Sequence, residues 1–86
     1  MDINSLNLII EKKISQNISC EKIIIEDKTY LHKNHKGHEK NKFHIKLIIK
    51  SDELLKMNRI ESTKKIYKIL DYELKYHIHS IEILLN

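Results

Sequence analysis

Between Lys42 and Lys50, apolar and polar positions alternate. Phe43, Ile45, Leu47 and Ile49 take one side, and His44, Lys46 and Lys50 the other. This two-residue period predicts a strand with one face against a core and one toward solvent. A longer period governs the start of the chain. Ile3, Leu6, Ile10 and Ile14 recur at helical spacing, with Ile9 beside them, and Asp2 stands where it can cap the first turn. An amphipathic helix ending near Asn17 is expected. Glu21 to Lys28 holds a β-branched run too short for a helix and bounded by polar residues, which predicts another strand. Residues 29–41 are polar, rich in Lys and His, and contain Gly37, the sole glycine. They read as a loop, long for a hairpin connection, and long loops in compact domains more often carry function.

Beyond the alternating strand, Ser51-Asp52 can cap a short turn through Leu55 and Met57. Asn58 with Glu61 has capping-box spacing for a longer helix. On that helix Ile60, Thr63, Ile66, Tyr67, Leu70 and Leu74 are expected to form one face, with Tyr67 in the core and the helix reaching about Tyr76. Ile78 to Leu85 is the last strand. The order α-β-β-α-α-β implies an antiparallel pair followed by a helical connection that can bring the last strand in parallel to the second. A small α+β sandwich follows, a three-stranded mixed sheet with helices on one face.

Eighty-six residues make one domain, 1–86, with a thin core. There is little room for an interior substrate cavity with a full catalytic apparatus, which argues against an enzyme. Cys20 is the only cysteine, so no internal disulfide and no cysteine-rich metal cluster can form. A reducing compartment, the cytoplasm in the first instance, is expected. No apolar run approaches a membrane span. The opening residues lack the features of a transit or signal peptide. The net charge of +4 is unevenly placed. Residues 28–50 hold seven Lys and one acid, giving +6, and the remainder holds nine basic and eleven acidic residues, giving −2. Such a segment can attract anions, acidic proteins or nucleic acid, or serve only as a solvated surface.

The C-terminal half has a more specific likeness. The alternating strand runs into Ser51-Asp52, a basic helix ends in Asp71-Tyr72-Glu73-Leu74, and Ile78-His79-Ser80-Ile81 follows. This order resembles the BolA family, in which a strand ending in Ser, a basic helix ending in acids and Leu, and a strand opening with Val-His occur in turn. His79 and its distances to Leu74 and Tyr67 are the specific part. The resemblance implies the BolA fold, related to the class II KH fold. It also implies a non-enzymatic adaptor that binds a monothiol glutaredoxin and helps ligate a shared, glutathione-supported [2Fe–2S] cluster in iron–sulfur trafficking or iron sensing. In that family the histidine at the position of His79 is a cluster ligand. A second ligand sits in the loop between the first two strands, several residues before a glycine, a spacing His32 keeps to Gly37. His35 and His38 are alternatives to it. Without the resemblance, His79 would read as a half-buried strand histidine bonded to backbone. Neutral imidazole is a competent ligand for such iron and raises the cluster potential relative to thiolate.

Other chemistry is weaker. Three loop histidines plus Cys20 make a poor zinc site, since structural zinc wants four converging ligands. Cys20 has no paired histidine nearby in sequence, and Asp52 and Glu53 are explained by the helix dipole. A KH-like nucleic-acid-binding module or transcriptional regulator is the rival reading. Its surface, which would equally serve a partner protein, is Lys56, Arg59, Lys64, Lys65 and Lys68. Against it, the Gly-x-x-Gly loop with which KH domains hold the phosphate backbone is missing. The Arg-His pair that usually opens the BolA helix is Ser62-Thr63 here. Nucleic-acid binding is therefore expected to be weak, and no membrane association is expected.

Overall fold

The computed structural model describes residues 1–32 and 42–86. The chain begins with α1 (Ile3–Asn17), in which the Asp2 carboxylate accepts the Ser5 backbone N–H at 2.8 Å. That bond satisfies one of the donors a helix start leaves open. Leu6, Ile10 and Ile14 are fully buried along one face. Strand β1 (Lys22–Asp27) follows, then a single 3-10 turn, Thr29–His32, where the sequence predicts only loop. β2 (Phe43–Lys50) is the central strand. It pairs antiparallel with β1, from Lys22 opposite Lys50 to Asp27 opposite Ile45. It pairs parallel with β3 (Ile78–Leu85), giving the mixed sheet β1-β2-β3.

Three helices connect β2 to β3: α2 (Asp52–Leu55), α3 (Arg59–Ile69) and α4 (Asp71–Tyr76). Ser51 caps the first, accepting Leu54 N–H at 3.2 Å while donating to the Ser19 carbonyl at 2.7 Å. Asn58 caps the second through the Glu61 N–H at 2.8 Å. The single helix expected to Tyr76 is broken at Leu70, whose ψ of 18° leaves the helical range. The redirected segment turns Glu73 inward, where its two carboxylate oxygens accept Lys13 Nζ at 2.8 and 2.7 Å. This pair ties α4 to α1.

The core lies between the helices and the β2 face carrying Ile45, Leu47 and Ile49, joined by Leu54, Ile66, Leu70 and Ile78. The expected α3 face requires correction. Ile60 is 68% exposed and Tyr67 44%. Ile66 and Leu70 are buried as expected, but Ser62 joins them, rotating the packed stripe away from Tyr67. Burying Ser62 costs little because its hydroxyl donates to the Arg59 carbonyl at 3.1 Å within its own helix.

Candidate functional site

β2 and β3 run parallel, so their opening residues lie side by side. Phe43 is opposite Ile78 and His44 is opposite Ser80, which leaves His79 as an extra residue on β3. This irregularity breaks the simple alternation the sequence implies. Ile78 is buried, Ile81 packs against the core, and two residues, His79 and Ser80, stand between these inward positions where plain alternation has one. His79 is therefore exposed and does not share the inward direction of Ile81 and Ile83. A bulge near a strand end commonly re-aims a side chain in this way.

The neighbouring His44 is 5% exposed although it lies on the polar side of β2. Its Nδ1 is 2.6 Å from Ser80 Oγ, and its ring centroid is 4.8 Å from that of His79, with the planes at 47°. Thr29 joins the same corner: its hydroxyl accepts the His44 N–H at 3.1 Å, and the Lys28 N–H donates to the His44 carbonyl at 2.7 Å. The 3-10 turn that ends in His32 thus springs from the corner of the sheet where His79 is presented. Thr29 and Ser80 flank β2, so roughly 10 Å, two strand spacings, separates the start of the turn from β3. The side chain of His32, and the alternatives His35 and His38, lie outside the described residues.

On the other side His79 lines a groove of about 570 Å³ with Tyr67, Asp71, Leu74, Lys75 and Ile81. The exposed Tyr67 that left the core is one wall. His79 is accordingly an imidazole that an approaching molecule can reach, standing on edge strand β3. Sequence reading did not single out His44 or Ser80. The available signal was topological, because in a parallel pair the second residues of β2 and β3, His44 and His79, fall close together.

The chain belongs to the BolA family. The profile of BolA-like proteins matches residues 14–86. A Haemophilus influenzae protein described as DNA-binding transcriptional regulator BolA is 30% identical over 79 residues, covering 92% of this chain and 74% of that protein. Solved structures share the BolA fold. The BolA domain of SufE1 from Arabidopsis thaliana superposes with a TM-score of 0.76 at 24% identity, over 100% of this chain and 93% of that one. BolA1 from the same plant gives 0.72 at 24%, over 90% and 85%. BolA1 from Mus musculus gives 0.67 at 19%, over 90% of this chain and 60% of that one.

Four of the five remaining candidates of this BolA chain, Arg59, Lys64, Lys65 and Lys68, lie on α3. Lys56 stands beside Cys20 and Glu53. Arg59 and Lys64 border a groove with Ile60 and Tyr67, whereas Lys65 and Lys68 border another with Lys13 and Gln16. Lys65 also pairs with Glu53 at 2.9 Å. Lys64, Lys65 and Lys68 are helical neighbours on the side of α3 away from buried Ser62 and Ile66. Glu53 is more than a helix-start charge: it accepts from Lys65 and, at 3.1 Å, from the Ser19 N–H, and these bonds hold its carboxyl below the usual range. Cys20 is half-buried, and burial, followed by the Glu53 charge, pushes its thiol up, away from the thiolate a nucleophile or metal ligand needs. It precedes β1 whereas the histidine-bearing turn follows β1, so roughly 20 Å of strand separates them. Among the described residues no group of three potential ligands converges, and no helix is long and apolar enough to cross a membrane.

Proposed function

We propose that this BolA-like chain is an adaptor that binds a monothiol glutaredoxin and contributes His79, with His32 as second ligand, to a glutathione-supported [2Fe–2S] cluster shared between the two proteins. The observation that carries the reading is the exposed His79 imidazole on its bulge, beside an open groove, in a chain of this family. The donor set fits such a role. One accessible imidazole and a neighbouring histidine-bearing turn make an incomplete site, whose remaining ligands a partner supplies. The cluster would bring one-electron chemistry or transferable iron and sulfur, with imidazole ligation raising its potential. The protein's part is to present the nitrogen donors and dock the partner, in iron–sulfur trafficking or iron sensing. A reducing compartment such as the cytoplasm suits that task.

Anaerobic co-purification with a monothiol glutaredoxin, followed by visible absorption and circular dichroism, tests the proposal. A coloured mixed complex is expected. His79→Ala should change or abolish its spectrum while the apo domain remains folded, and His32→Ala should disturb it more than His35→Ala or His38→Ala. An unchanged spectrum for His79→Ala removes that residue from the site.

A second reading, a DNA-binding regulator, is favoured by one observation, the description of the 30% identical H. influenzae relative. Against it, Arg59 is the only arginine, and lysines act on phosphates as point charges without the planar fork that reads a base.

A further inference from the structure

The bulge at His79 poses a mechanical problem. A residue with no opposite number on the neighbouring strand lacks the register that normally fixes a strand side chain. The structure supplies a substitute. Ser80, the next residue, is opposite His44, and its hydroxyl meets His44 Nδ1 at 2.6 Å. His44 is almost fully buried and its backbone is held from the far side by Thr29 and Lys28. Its ring then forms a fixed wall 4.8 Å from the His79 ring.

We propose that His44 and Ser80 act as a clamp that sets the orientation of the His79 imidazole, making them positioning residues for that ligand. The functional consequence rests on His79 being a cluster ligand. Holding the imidazole in one rotamer removes an ordering cost from ligation, and outer groups that orient a ligand typically change metal affinity by about 10- to 100-fold. The two parts differ in role. The Ser80–His44 hydrogen bond closes the strand immediately after the bulge, and the His44 ring limits where His79 can swing.

Three variants test the hydrogen bond from both ends with a ring kept at position 44: Ser80→Ala removes the hydroxyl, Ser80→Thr restores it, and His44→Phe keeps a ring but removes the nitrogen. Two readouts are needed. In the apo domain, three-bond couplings give the His79 χ1 distribution. In the glutaredoxin complex, visible circular dichroism and the rate of cluster loss to a chelator report ligation. The expected result is one dominant χ1 rotamer in the native chain and in Ser80→Thr, and averaging in Ser80→Ala and His44→Phe. Cluster loss should be about 10-fold faster in the averaged variants, with an altered dichroism spectrum. Averaged couplings in the native chain overturn the clamp, as does a Ser80→Ala variant with unchanged couplings and spectrum. If His44→Phe fails to fold, the exposed Ser80 pair decides alone. If the native complex holds no cluster, the adaptor reading fails, and the χ1 couplings still decide whether the clamp exists.

Discussion

At the residue scale, Glu53 shows how much an ordinary-looking side chain can gather. In sequence it is an acid in the first turn of a short helix. In the fold it accepts from Ser19 on one side and from Lys65 of α3 on the other. Its partners lie 34 and 12 residues away, so no local pattern announces them. The consequence for acid stability has a definite sign. Hydrogen bonding from Lys65, then Ser19, lowers the folded carboxyl from its ordinary value of 4.5. Its contribution is therefore fully present above that value and is lost as pH falls from about 4.5 through the lower folded value. Glu53→Gln should lower Tm slightly at pH 7 and flatten this part of the acid limb, measured by thermal melts from pH 7 to 3. Equal Tm losses at pH 7 and pH 3 would show that the contribution is not ionic. His79 was legible for the opposite reason: it stands in a short local motif next to unmistakable strand residues. Its outward direction was not legible, because the bulge depends on the pairing of Phe43 with Ile78 and His44 with Ser80.

At the element scale, strict periods were readable and broken ones were not. α1 occupies the expected residues because Leu6, Ile10 and Ile14 state their pattern without interruption, and β3 does so because its apolar run from Ile81 to Leu85 outweighs the break at His79. α3 misled because Ile60 and Tyr67 fit a helical stripe that the tertiary packing does not use. The break at Leu70 lets the buried Glu73, only 3% exposed, meet Lys13 of α1. A charge so placed depends on its partner, and removing one member of a buried pair costs more than replacing both. Lys13→Met should destabilise the domain by about 1–3 kcal/mol, because it leaves the Glu73 carboxylate buried without its cation. Lys13→Met combined with Glu73→Leu should recover most of the loss. Urea unfolding of both variants checks this, and a double variant less stable than the single one would show that the pair is worth its desolvation. The interval that carries His32 had no such period; its first residues form the Thr29–His32 turn, and His35 and His38 lie outside the described residues.

For the whole molecule, the distribution of charge bears on how this chain would meet a nucleic acid. The sequence places +6 between residues 28 and 50, seven Lys against one acid. Acids on and just before β1, and on β3, lie against the described part of that segment. Lys28 lies 3.3 Å from Glu26 and Lys50 lies 3.4 Å from Glu21. Lys46 is set between Glu26 on β1 and Glu82 on β3 by the strand register. The sheet thus presents alternating signs where the linear sequence suggested one positive field. Exposed pairs of this kind hold each other weakly, so the lysines remain available to a polyanion, though only as point charges. Binding of that kind is sequence-independent, with dissociation constants of ~10⁻⁴ to 10⁻⁶ M at physiological salt that weaken steeply as salt rises. Base readout is carried best by the bidentate guanidinium fork, and Arg59 is the only arginine beside Lys64, Lys65 and Lys68 on α3. In a fluorescence-anisotropy competition, random duplexes and promoter duplexes should therefore displace a labelled probe equally, with a log–log salt slope of only a few. A strong preference for one sequence, retained as salt increases, would mean that the likeness to the H. influenzae regulator extends to its DNA binding, and would move the regulator reading ahead of the cluster-binding adaptor.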